Sequence, residues 1–327
     1  MLTQPPTVYV AGSLFLDIVM SGLRHPPRPG QEQWVPDGGI MPGGAANQAI
    51  GCSRLGLTTS LISYLGTDRA GTWTAEMLAE DDICLKGTLP VERQNVTVSL
   101  VMDGDRAFTT YGSTATPLPR PGLEPPTIFL CSVGYLKESA HIIDQWREAG
   151  TTVIADAAWD DTGAWLESDL DPLQYADVFV PNCMEAQHYT RTLTTEDAAS
   201  ALLDRIDTVV VTCGAEGAYL ATRDKDGDHA RFFPAITVEA IDTTGAGDAF
   251  SSGLAAGIAT GARIEDSVHF GQLAAAWTVQ HIGGSTCAPR LAELVEWSGA
   301  PECESFSASI TTIADALGYK ATGAAVS

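Results

Sequence analysis

Three things are scarce in this 327-residue chain: positive charge, long apolar runs and paired cysteines. Lysine and arginine total 18 against 41 aspartates and glutamates, a formal net charge of −23. A surface this acidic repels phosphate backbones, which makes nucleic acid a poor partner. It is compatible with small phosphates only where backbone amides and a metal hold them. No stretch of about 18 apolar residues lacks a break, so no membrane-spanning helix is expected. The opening MLTQPPTVYVAGS has no basic segment followed by a long apolar one, and it reads as leading straight into a strand without a signal peptide. The seven cysteines (52, 84, 131, 183, 213, 287 and 303) are scattered, odd in number and contain no C-x-x-C pair. That argues against a disulfide framework or a structural zinc site and for a reducing cytoplasm. Also missing are the phosphate loop G-x-x-x-x-G-K-[ST] and a G-x-G-x-x-G opening the first strand–helix unit.

What is present fits one large α/β domain. Hydrophobic residues make up 45% of the chain, enough for a sizeable core. Short apolar, β-branched runs at 7–12, 59–66, 127–134, 151–157, 177–182 and 207–214 read as strands covered on both faces. Between them, 45–56, 72–82, 139–150 and 196–206 carry apolar residues at helical spacing, with Gly56 and Gly150 where helices should end. Repeated strand–helix–strand units predict a mostly parallel sheet with helices on both faces. Residues 13–41 and 92–114 depart from that rhythm, and Asp103-Gly104 reads as a hairpin turn. These two segments are expected to form a small separate sheet, placed to act as a lid. The stretch 117–126 is a Pro-rich connector, and residues 299–327 are expected to be a C-terminal tail with one short helix and a frayed end, after a domain spanning 1–298. Glu80-Asp81-Asp82 reads as a solvated helix end, and His141, His188, His269 and His281 as structural, since none has metal-like spacing.

The segment 238–261, VEAIDTTGAGDAFSSGLAAGIATG, carries the chemistry. A strand-like run to Ile241 is followed by a Thr-Thr-Gly-Ala-Gly turn, and Asp248 opens a helix of small residues. The amides of Gly245, Ala246 and Gly247, with the helix dipole, make an anion hole that glycine lets a phosphate approach. An aspartate at its mouth is suited to taking a proton from a hydroxyl aimed at that phosphate. Asp is also a common helix cap, and on the residues alone the two readings stand level.

The run DTTGAGDAF (242–250) resembles the C-terminal signature of the ribokinase-like sugar kinases, the PfkB family, and MPGGAANQAIGCSRLG (41–56) resembles its N-terminal signature. The resemblance covers about residues 7 to 295. It implies a ribokinase-like three-layer α/β/α domain with a small β-sheet lid, a small-molecule sugar or polyol partner, ATP and Mg²⁺ as cofactors, and a homodimer paired through the lid. It makes Asp248 the base and 245–247 the phosphoryl hole. Asp17, Gly43, Gly44 and Asn47 become substrate-binding residues. PNCMEA (181–186) is similar to an Asn-x-x-Glu motif, so Asn182 and Glu185 would act on Mg²⁺ through water; the same spacing is that of a capping box. VVVTCGAEGAYL (209–220) resembles the nucleotide segment, placing Thr212, Gly214 and Gly217 against ATP, although a plain hairpin reads equally well. HIGGSTCAP (281–289), with Gly283, would wall the adenine, and Asp242 is where some members build a K⁺ site. One departure stands out. Ribokinase typically has a lysine where this chain has Gly44, which argues against ribose as the assumed acceptor. A nucleoside kinase of the same fold is the nearest rival reading, and a non-catalytic sugar or nucleotide sensor a more distant one.

Overall fold

A computed structural model describes residues 5–102, 105–157, 160, 162–224, 227–281 and 283–319. The expected hairpin turn at Asp103-Gly104 and the last residues of the tail, 320–327, lie outside them. Eight strands form the central sheet, in the order Gly227–Pro234, Gly217–Asp224, Thr208–Thr212, Val178–Val180, Thr152–Asp156, Ile128–Ser132, Thr7–Ala11, Thr58–Ile62. The six from Thr208–Thr212 to Thr58–Ile62 are parallel. All six answer to apolar runs in the sequence. The other two, Gly217–Asp224 and Gly227–Pro234, are antiparallel additions at one edge. Gly227–Pro234 is almost wholly exposed, which hid it from a reading based on buried strands.

Alternation along each strand divides the core in two. Ile128 and Leu130 join Val8, Val10 and Val210 under the helices Ala45–Arg54, Ala246–Ala259 and Ile264–Thr278. Phe129 and Cys131 face the other way and meet Leu136, Ile143 and Trp146 of helix Val133–Glu148 and Leu202 of helix Thr195–Leu202. The result is three layers, helices on both faces of a mostly parallel sheet. Residues 299–319 are not loose: Cys303, Phe306, Ile310 and Ile313 are buried in the first core, the last two on helix Ser307–Ala316.

A second sheet stands apart, in the order Asp37–Gly44, Leu14–Ser21, Asn95–Met102, Asp105–Tyr111. It is made from the two segments that broke the strand–helix rhythm. Its strand Asp37–Gly44 runs without interruption into helix Ala45–Arg54. That junction couples the small sheet to the main domain.

Asp81 corrects the sequence reading. It is no solvated helix end but is 7% exposed, with Arg54 donating to both its oxygens (2.8 and 2.9 Å) and Arg290 adding a third bond at 3.1 Å. Its partners lie 27 and 209 residues away, beyond the reach of local pattern. Three of the four histidines read as structural pack on aromatic rings: His188 stacks on Trp165, His281 stacks on Trp277, and His269 lies edge-on to Phe233 and Phe306. None of the seven cysteines forms a disulfide among the described residues. Among the described residues no helix is long and apolar enough to cross a membrane.

Candidate active site

The turn before helix Ala246–Ala259 is built by Gly245, whose φ of 73° lies in the left-handed region that glycine enters without strain. The expected strand up to Ile241 does not form. Regular pairing ends at Pro234, which has no N–H to continue the ladder, and 235–240 runs as coil. Ala246 N–H makes only a long turn bond to Thr243 O, 3.3 Å, so the first-turn amides remain largely open to a ligand.

Asp248 sits in that first turn, partly buried. Burial pushes its carboxyl up to about 6, and bonds from the Asn47 and Gln48 amides act against the rise. The Asn47 bond is the well-formed one, Nδ2 to Oδ2 at 2.9 Å. Two signatures 201 residues apart in sequence therefore meet at one carboxylate. The carboxylate opens on a cavity of about 230 Å³, lined among others by Asn182, Glu185, Thr212, Gly245, Ala246 and Gly247.

Asn182 and Glu185 are both a capping box and part of that wall. Asn182 Oδ1 accepts from Glu185 N–H (2.9 Å), and Glu185 Oε2 accepts from Asn182 N–H (2.8 Å). Burial also raises the Glu185 carboxyl, against its two bonds with Asn182. Among the described residues no three acidic, histidine or cysteine side chains converge closely enough to hold a metal by themselves.

A second, mostly apolar cavity of about 280 Å³ adjoins the first and shares Thr212, Thr243, Ala246 and Gly247 with it. Thr212, Gly214 and Gly217 line it, as do Ile236, Val238 and Phe250. The segment 209–220 forms the hairpin that the sequence allowed: strands Thr208–Thr212 and Gly217–Asp224 pair antiparallel, and their turn is the cavity edge. Gly283 does not line this cavity. Its N–H donates instead to Asp242 Oδ2 at 3.2 Å, while Asp242 Oδ1 accepts from Thr244 N–H at 2.9 Å and from the Thr244 hydroxyl.

Asp17 lies on strand Leu14–Ser21 of the small sheet, and lines neither cavity. Burial lifts its carboxyl to about 6, with a bond from Thr97 working against the shift. Gly43 lies against it so closely that an added Cβ would stand 1.8 Å from Asp17 Oδ2. Gly44 has φ 64°, and a Cβ there would be 2.3 Å from Ser13 O, so no side chain fits at this position in this conformation. Asn47 follows Gly43 by four residues on the same continuous segment, which ties the Asp17 end of the small sheet to the Asp248 end of the domain. Trp34 and Tyr111 are 81% and 58% exposed and line neither cavity.

Motif reading missed three polar residues. Gln48 is buried beside Asn47 and donates to Asp156 Oδ2 at 2.9 Å. Asp156 ends strand Thr152–Asp156 and lines the cavity of Asp248 and Glu185; burial, then the charges of those two, hold its carboxyl well above the usual range. Its place at the carboxyl end of a parallel strand was the available signal. Gln272 lines the apolar cavity and donates to Phe233 O and Pro234 O (2.8 and 3.1 Å), leaving its buried Oε1 without a donor.

The pfkB family carbohydrate kinase pattern matches residues 8–291. Ribokinase from Lactococcus lactis is 27% identical over 301 residues, 88% of this chain and 95% of that protein. 2-Dehydro-3-deoxygluconokinase from Bacillus subtilis is 26% identical over 285 residues, 80% and 87% of the two chains. The solved structure of Arabidopsis thaliana ribokinase complexed with ribose and ATP superposes with a TM-score of 0.70 at 21% identity, covering 91% of this chain and all of that one.

Proposed function

The chain belongs to the pfkB family of carbohydrate kinases, and from that membership we propose that it transfers the γ-phosphate of ATP to a hydroxyl of a sugar or sugar acid, with Asp248 as general base. The observation that carries the reading is the Asp248 carboxyl, held by Asn47 at the mouth of the 245–247 turn and facing a polar cavity. The acceptor O–H gives its proton to Asp248. The freed oxygen pair forms the new O–P bond as the bond to the leaving ADP breaks. Amides 245–247 receive the charge spreading over the transferred oxygens. The apolar cavity suits the purine, with Thr212, Gly214 and Gly217 at its edge.

Mg²⁺ would be held from Asn182 and Glu185 through water and by the ATP phosphates, since the carboxylates do not cluster closely enough to ligate it directly. When bound it neutralises charge on the phosphates. Asp242, already engaged by Thr244 and Gly283, is the residue we assign to a K⁺ site. Asp17 and Asn47 would hold the acceptor's hydroxyls. The absence of any side chain at Gly44 removes the lysine contact expected for ribose. On the small sheet, Met20, Ile40 and Tyr111 share the face away from Asp17 and are exposed, which suits pairing with a second subunit.

The test is ADP release with Mg-ATP and a panel of sugars, sugar acids and nucleosides. Turnover with a sugar or sugar acid supports the reading. Turnover only with nucleosides selects the rival, and bound ATP with no turnover on any acceptor overturns both.

A further inference from the structure

Asp248 is surrounded by more order than a bare base requires. Helices Ala45–Arg54 and Ala246–Ala259 are bolted together beside it. The Ser252 hydroxyl reaches the Asp248 carbonyl oxygen at 2.8 Å and the Gln48 carbonyl oxygen at 3.1 Å. Gly51 lies so close that an added Cβ would be 2.4 Å from Ser252 Oγ. The main chain of Gln48 is thereby tied to that of Asp248, while its side chain retains rotamer freedom. Asp156 removes that freedom by accepting from Gln48 Nε2 at 2.9 Å. A side-chain amide nitrogen carries two hydrogens. One is spent on Asp156, and the neighbouring Asn47 donates to Asp248 Oδ2 at 2.9 Å. Asp156, Gln48 and Asp248 come from a strand end and two helices, 108 residues separating the first pair, so chance local geometry does not explain their alignment.

We propose that Asp156 and Gln48 act as a positioning pair for the base: Asp156 anchors the Gln48 side chain, and with it the helix turn from which Asn47 holds the Asp248 carboxyl toward the acceptor hydroxyl. This rests on the kinase reading above. Neither residue touches substrate in the proposal. The role needs an acceptor at 156 and a donor at 48, not a charge at 156. Placement of a base is worth a great deal, since an error of about 1 Å costs on the order of 10²-fold in rate.

The experiment compares Asp156→Leu, Asp156→Asn, Gln48→Leu and the Asp156→Leu/Gln48→Leu double variant, with the best acceptor from the panel. Asp156→Leu and Gln48→Leu should each lower kcat by roughly 10- to 100-fold, with the dissociation constant for ATP unchanged. The double variant should be no worse than either single one, because each removes the same contact. Asp156→Asn should recover most of the rate, since its amide oxygen can still accept. Should Asp156→Leu not fold, as read by its circular dichroism, Gln48→Met and Asp156→Asn carry the test. Multiplicative losses in the double variant overturn the proposal. So does a Gln48→Met or Gln48→Leu enzyme with unchanged kcat, or an Asp156→Asn enzyme that is slow and needs more Mg²⁺, which would make Asp156 a metal residue. A wild-type protein without acceptor-dependent ADP release would instead defeat the kinase reading, and the two failures are distinguishable.

Discussion

Replacing Asn47 with leucine should move the acid limb of the kcat/KM profile upward. The base works only when ionised, and burial has raised its carboxyl to about 6 while the Asn47 bond restrains the rise. Activity of the wild-type protein should therefore fall as pH drops through about 6 rather than through the usual carboxylate range near ~4. A hydrogen bond to a charged group contributes roughly 1.5–3 kcal/mol, and each pKa unit is about 1.4 kcal/mol, so losing the bond should raise the base by about one to two units. Taking the middle of that range, the base would be about three-quarters ionised in the wild type at pH ~6.5 and about one-tenth ionised in the variant, a roughly eightfold loss. At pH ~9 both are almost fully ionised, and only the pH-independent loss of Asn47's contact to the acceptor should remain. The assay is initial-rate ADP release at low acceptor concentration and fixed Mg-ATP across the pH range. An unshifted or downward-shifted limb in Asn47→Leu, or a wild-type limb near ~4, would refute the reasoning.

Asp248→Asn should lower kcat by about 10²–10⁴-fold while leaving ATP bound. It should also raise the melting temperature at neutral pH. The folded carboxyl is higher than the unfolded one, so its contribution is most favourable below about pH 4 and is lost as pH rises through about 6, a cost on the order of 1–3 kcal/mol that the amide does not carry. Calorimetry of the two proteins at pH ~5 and ~8 checks this, and the stability difference should be larger at the higher pH. Gly43→Ala should raise KM for the acceptor by tenfold or more, on the order of 1.4 kcal/mol or above, because its methyl would displace the Asp17 carboxyl; equal KM values would show that Asp17 does not hold the acceptor. Asp81→Ala should destabilise the fold by about 3–5 kcal/mol, since it strands the poorly exposed Arg54, with little effect on kcat at temperatures where the protein remains folded. Denaturant titration gives the first value and the rate assay the second.

The six parallel strands were legible because each is a short apolar run covered on both faces, and composition alone marks such runs. The turn at 243–248 was legible for a similar reason: glycine, small residues and an aspartate within one turn of helix are a local arrangement, and the structure forms it locally. The strand expected before that turn was wrong because the signal, a β-branched run, is the same for coil packed against a cavity. The Asn182/Glu185 pair shows a subtler limit. Its spacing spelled a capping box, and only the placement of strand Val178–Val180 beside Thr208–Thr212 put that cap on the wall facing Asp248.

By itself, then, the sequence determined the sheet's parallel centre, the glycine turn with its aspartate, and the kind of reaction such a turn can support, because all of these are encoded within a few consecutive residues. Tertiary structure alone decided that Asn47 bonds Asp248, that Gln48 reaches Asp156, that Asp81 is a buried ion-pair partner, and that Gly283 serves Asp242 rather than the apolar cavity. Each of those contacts joins residues tens to hundreds of positions apart, and a side chain's partner across such distances depends on how the layers pack, which no local pattern records.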